Sequence, residues 1–166
     1  LSGSGQDRPA ESVSIRKVIE DVALMLGGAL TSRQVSLNTE IAANLDVNGT
    51  TLGRHSELMQ VLINLVNNAA DAATEGASPW VRIEARRVGD SLAEISVSDS
   101  GPGIPESIRR RLFEPFFTTK DVGKGSGIGL SLCQKIVESH AGRIFLDPRP
   151  KPTRFVIELP LVAGGA

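Results

Sequence analysis

The chain has 166 residues, 40% hydrophobic and 22% charged, and 18 Lys plus Arg against 19 Asp plus Glu leave a net charge of −1. That length is one globular domain with a real core, and the balance gives no strongly basic field for nucleic acid or an anionic membrane. A single cysteine, Cys133, excludes an internal disulfide framework and fits a reducing, cytoplasmic compartment, and no stretch is long and apolar enough to span a bilayer.

The opening LSGSGQDRPAES has neither the basic nor the apolar region of a signal peptide, so residues 1–12 read as a linker and 163–166 as a tail around a domain spanning 13–162. Residues 13–30 place Ile15, Val18, Ile19, Val22, Leu24, Met25 and Leu26 at mainly helical spacing, with Ser14 as a cap. Residues 35–41 alternate as a half-buried strand does, and 45–47 add a short second one.

The central helix starts between residues 52 and 56. Leu58, Val61, Leu62, Leu65, Val66, Ala69 and Ala73 recur at three-and-four spacing, the pattern of a buried helical face. Asn64, Asn68 and Asp71 fall in one narrow stripe bordering it. Two amides one turn apart can hydrogen-bond a ligand at the rim of a core, and an amide oxygen suits magnesium, which takes few protein ligands; a solvated helix face is the plainer reading. His55, at the helix start, reads as a surface residue.

Residues 75–79 form a turn. Strands at 81–88 and 92–98 make a hairpin around Gly89 and Asp90. The second strand runs into Asp99-Ser-Gly-Pro-Gly-Ile104, a glycine turn with a carboxylate at its mouth, where a ligand can approach the backbone. Pro105 at a first helical position, Glu106 in the first turn and Arg109 to Arg111 in the last mark a short helix.

LFEPFFTTK, residues 112–120, gathers three of the five phenylalanines and suggests a flap or docking surface. DVGKGSGIGL then opens a helix that runs to Ala141, with Gly142 as its stop. Glycines before a helix N-terminus make an anion site, phosphate being the obvious occupant. The spacing fits neither a dinucleotide fingerprint nor a P-loop. Strands at 143–146 and 154–159 close the chain.

In order and spacing, the helical Asn pair, DSGPGI, LFEPFFTTK and GKGSGIGL resemble the ATP-binding catalytic domain of sensor histidine kinases, part of a larger ATPase family that includes DNA gyrase, Hsp90 and MutL. The resemblance covers nearly the whole chain. It implies an α+β fold, a two-layer sandwich whose mixed, mostly antiparallel sheet is covered on one face by three helices. It also implies transfer of the ATP γ-phosphate to a His on a dimerisation and phosphoacceptor domain of the same kinase, with a response regulator downstream. A serine kinase or ATPase of the same superfamily, or a nucleotide-sensing module without catalysis, is the alternative.

Residue roles follow from the same resemblance. Asn68 matches the ligand of the Mg2+ that bridges the ATP phosphates, and Asn64 its neighbour one turn earlier; both are catalytic candidates, with Asp71 beside them. Asp99 matches the acceptor of the adenine amino group, Gly101, Gly103 and Ile104 the adenine pocket, and Thr153 a threonine near adenine. Gly125, Gly127 and Gly129, in one run with Ser126, Ile128 and Leu130, match the hinge of a lid over the phosphates, with Lys120 a phosphate contact. Phe113, Phe116 and Phe117 match the aromatic box that faces the phosphoacceptor domain.

Three departures stand out. Asp71 and Ala72 occupy positions where many relatives carry a basic and an aromatic residue, and Pro152 stands where glycine is common. The hydrolytic relatives carry Glu at the position of Asn64, and an amide cannot accept a proton from water at neutral pH, which favours transfer over hydrolysis. The histidines, His55 and His140, lie in no phosphoacceptor motif.

Overall fold

The computed structural model describes residues 9–45, 48–118 and 129–162. A ribbon strand, β1 (Glu11–Ser14), leads into helix α1 (Ile15–Ser32), whose first turn is capped by the Ser14 hydroxyl accepting from the Lys17 N–H at 3.2 Å. Strands β2 (Ser36–Ile41) and β3 (Thr50–Gly53) precede helix α2 (His55–Ala73). The hairpin β4 (Trp80–Val88) and β5 (Leu92–Asp99) turns on Gly89 at φ +63°. A short α3 (Glu106–Arg109), helix α4 (Gly129–Ser139) and strands β6 (Arg143–Leu146) and β7 (Thr153–Pro160) follow.

The main sheet has the order β2-β4-β5-β7-β6, with only the β2–β4 pair parallel. One face carries Val81, Ile83, Ile95, Val97, Ile157 and Leu159, which pack with the apolar stripes of α1, α2 and α4 in a single core. The expected sandwich is thus what forms, with α2 in the middle of the helical layer between α1 and α4.

Several local expectations are corrected. Val13 and the two residues before it belong to β1, not to a helix or a linker, because β1 pairs antiparallel with β3 from Glu11↔Gly53 to Ser14↔Thr50. The short strand expected at 45–47 does not begin at Leu45, which lies in a bend; residues 46 and 47 are outside the described residues, and the strand of this region is β3. Pro105 is the N-cap of α3 rather than its first helical residue. Leu24 and Met25 point away from the core and are 85% and 60% exposed.

Helix α4 ends two residues earlier than its apolar pattern suggests. The Gly142 N–H donates to the Val137 carbonyl and the Ala141 N–H to the Glu138 carbonyl, both at 3.0 Å, a Schellman closure that puts the left-handed residue at Ala141, φ +59°. An L-residue there is strained by its Cβ. Ala141→Gly is therefore expected to raise stability by about 0.5–1 kcal/mol, the strain relieved exceeding the entropy lost from a more flexible unfolded chain. Urea denaturation followed by circular dichroism measures it.

His140 sits beside this closure with its side chain 1% exposed. Its Nδ1 lies 2.7 Å from the Ile136 carbonyl and its Nε2 accepts from the Arg54 N–H at 3.1 Å. The two bonds require a neutral ring protonated on Nδ1, tying the end of α4 to the start of α2.

Candidate nucleotide site

The site is assembled where the middle of α2 meets the C-terminal end of β5 and the start of α4. Asn68 Nδ2 donates to Asn64 Oδ1 at 3.2 Å, which orients both amides along one side of α2. Asn64 in turn lies under the first residue of α4: a Cβ on Gly129 would stand 2.5 Å from Asn64 Nδ2 and 2.8 Å from its Oδ1. Glycine is required there because the amide occupies the space of a side chain.

Asp99 ends β5 with only 3% of its surface exposed. Its Oδ1 accepts the Gly101 N–H at 2.8 Å, which closes the turn on itself. Burial pushes its carboxyl up to about 6, against the opposing pull of that hydrogen bond. A buried acid with one oxygen used internally is an acceptor prepared for a donor brought by a ligand.

The surrounding glycines let the turn pack closely on its neighbours. A Cβ on Gly101 would meet Asp99 Oδ1 at 2.7 Å and the Ala72 carbonyl at 2.8 Å, so the turn packs directly on α2. Gly103, at φ +91°, lies beside the Pro150 carbonyl and the Thr153 hydroxyl. Thr153 is buried and pairs in register with Asp99 across β5 and β7. Ile104 and Leu130 are half-buried against the core.

Asp71 is turned elsewhere. Its Oδ1 receives Arg33 Nη2 at 2.8 Å from the C-terminal end of α1, and both side chains are partly exposed. The structure thus brings together Asn64, Asn68, Asp99, Gly101, Gly103, Gly129 and Thr153, and pairs Asp71 with α1. Lys120, Gly125, Ser126, Gly127 and Ile128 lie outside the described residues.

The phenylalanines divide. Phe113 packs edge-on against Phe155 at 6.2 Å, and Phe117 lies 4.5 Å from the Arg111 guanidinium. Phe116 is 75% exposed, with its backbone at φ +66°. A non-glycine residue in that region of backbone space is uncommon.

Of the remaining expected residues, His55 is a partly exposed partner of Asp21, with Nε2 and Oδ2 2.9 Å apart. Cys133 is buried between α4 and α2, and burial pushes its thiol up to about 12. Sequence reasoning missed Arg33 and the Ala72 carbonyl, which have no motif and matter only through contacts across the fold. Among the described residues, no helix is long and apolar enough to cross a membrane.

Comparison with known proteins decides the family. Residues 53–163 match the family described as histidine kinase-, DNA gyrase B-, and HSP90-like ATPase. The chain belongs to this ATPase family. Sporulation kinase A of Bacillus subtilis is 32% identical over 162 residues, covering 96% of this chain and 25% of that protein. The nucleotide-free catalytic domain of histidine kinase ThkA superposes with a TM-score of 0.80 at 29% identity, covering 93% of this chain and 97% of that one. ThkA in complex with response regulator protein TrrA matches at 0.75 and 28% identity, covering 92% of this chain and 42% of that one. The ATPase domain spans about a quarter of the length of the curated relatives it matches.

Proposed function

We propose that the domain binds ATP with magnesium against α2 and the DSGPGI turn, and delivers the γ-phosphate to a histidine on a separate dimerisation and phosphoacceptor domain, with a response regulator downstream. The observation that carries this reading is Asp99: a buried carboxylate with a raised pKa, at the head of a turn with two glycines and bonded to the first of them. The donor it awaits fits the amino group of adenine, whereas guanine would present a carbonyl to an acceptor.

The residues also fit magnesium. The Asn64–Asn68 bond directs the amide nitrogen of Asn68 toward Asn64, so its oxygen is the donor for the ion. Magnesium there would neutralise charge on the phosphates. Lys120 and the run from Gly125 to Leu130 are the groups assigned to the phosphates, and Phe113, Phe116 and Phe117 to the phosphoacceptor face.

In the reaction, an imidazole nitrogen attacks phosphorus as the bond to the ADP oxygen breaks, so the site contributes placement and charge stabilisation. Asn64 cannot act as a base toward water, which supports transfer over hydrolysis. The curated relatives' kinase names and the response regulator bound to ThkA support the same reading. The domain proposed for this role begins at β1, near residue 11 rather than 13, and ends near 162.

Calorimetric titration with a non-hydrolysable ATP analogue, with and without magnesium, tests the site. Asn68→Ala is expected to weaken binding by about 10- to 100-fold in magnesium, the scale of disturbing a metal site, with little change in its absence. Addition of a phosphoacceptor domain and ATP should then yield an acid-labile phosphoamino acid. An acid-stable phosphoester would make it a serine kinase, and absence of any transfer a nucleotide-sensing module.

A further inference from the structure

The loop between β6 and β7, DPRPKP, carries a buried carboxylate that the nucleotide reading leaves unused. Asp147 is 6% exposed. Its Oδ1 accepts the Arg149 N–H at 2.9 Å and Arg149 Nε at 3.1 Å; its Oδ2 accepts Arg149 Nη2 at 2.8 Å and Arg154 Nη1 at 3.1 Å. Arg154 continues to Glu94 at 2.9 Å, on the sheet face away from the helices. The Asp147 N–H donates to the Arg154 carbonyl, and its own carbonyl accepts Arg109 Nη2 at 2.5 Å.

These bonds run to three places. Arg149 fixes the start of the loop, and prolines at 148, 150 and 152 restrict the rest of its backbone. Arg154 adjoins Thr153, the register partner of Asp99. Arg109 belongs to α3, between the DSGPGI turn and the phenylalanine segment whose Phe113 packs on Phe155. In the middle of the loop the Pro150 carbonyl stands 3.1 Å from where a Cβ on Gly103 would be.

Burying a carboxylate is costly unless it is fully bonded, and here it is. We propose that Asp147 is a positioning residue for the nucleotide site: by clamping loop 147–153 it holds the wall at Gly103 and Thr153 in place and couples that wall to α3 through Arg109. The inference rests on the nucleotide reading above. The Arg149 guanidinium beside Asp147 holds its carboxyl well below the usual carboxylate range, so the clamp stays charged across the working pH range.

The clamp acts at the adenine end, so its loss should be felt equally by nucleotides that differ only in phosphate number. At a temperature well below melting, Asp147→Ala is expected to weaken ATP and ADP by the same factor, about 10-fold, the scale of couplings carried through side-chain networks. In the nucleotide-free domain it should shift the amide NMR signals of Gly103 and Thr153. Glu158→Gln removes the ion pair with Arg143 on the same sheet face and should change neither readout. That control separates positioning from general loss of surface ion pairs. If wild type binds and D147A binds equally well with Gly103 and Thr153 unmoved, the role of Asp147 falls. A wild-type domain that binds neither nucleotide overturns the nucleotide reading itself, and this role with it.

Discussion

Asp99→Asn is expected to weaken ATP binding by about 100-fold, close to 2.7 kcal/mol. The change is isosteric, and the new amide oxygen can keep the Gly101 N–H that the carboxylate now accepts at 2.8 Å. Keeping it turns the amide nitrogen toward the amino group of an adenine bound as proposed, so two donors would face each other in a buried place where neither reaches water. Calorimetric titration measures the loss, and a folded variant that binds as tightly as wild type would remove adenine from this pocket.

The same residue sets a pH dependence. The carboxyl of Asp99 titrates near 6 in the folded domain, above the ordinary value of about 3.9. Its contribution to stability is therefore full below pH about 4 and lost as pH rises through about 6. The nucleotide-free Asp99→Asn variant should gain on wild type over that window in thermal melts. Wild-type nucleotide affinity should run the other way, falling as pH drops through about 6, because the protonated carboxyl offers a second donor to an amino group. The variant, with nothing to titrate there, should show neither trend.

Gly142→Ala is the second large effect, and it falls on stability. A Cβ at 142 would stand 2.2 Å from the Glu158 carbonyl, 2.8 Å from a Leu159 methyl and 3.2 Å from Val137. The carbonyl belongs to β7, which is paired on both sides by β5 and β6, so it cannot withdraw without disturbing the ladder. Overpacking against backbone rather than a flexible side chain puts the cost at about 2–4 kcal/mol, or roughly 4–16 °C in melting temperature for a domain of this size. Differential scanning calorimetry measures it. A variant that melts with wild type would show that the α4–β7 contact relaxes freely.

The contrast with Ala141→Gly, expected to stabilise, shows where the sequence is legible and where it is not. A glycine after an apolar helical stripe reads as the left-handed stop, and here the left-handed residue is the alanine before it. Gly142 is needed for a close approach to a strand far downstream, which no local pattern records. By the same logic α2 and the β4–β5 hairpin are plain, since each buries one face and repeats its period for two turns or more. β1 and β3 are not, because ESVS and TTLG are four residues each and become strands only by pairing with each other across α1.

The site divides in the same way. Asn64, Asn68, Asp99 and the glycines are spelled out because each motif is a contiguous piece of backbone whose job is local. Arg33 and Asp147 are not, since each acts on a residue 38 positions away, Asp71 in one case and Arg109 in the other. Residues whose role is a contact between distant segments carry no signature beyond their charge.

Trp80 stands at the first position of β4 and is bonded both ways to Ser100, its N–H donating to the Ser100 hydroxyl at 2.9 Å and its carbonyl accepting the Ser100 N–H at 3.1 Å. It is the sole tryptophan of a chain without tyrosine. The near-ultraviolet emission of this domain therefore arises from one indole, stapled to the residue that follows Asp99. Spectroscopically, the protein carries a single native fluorophore at the corner next to the DSGPGI turn, and its light needs no label and no deconvolution.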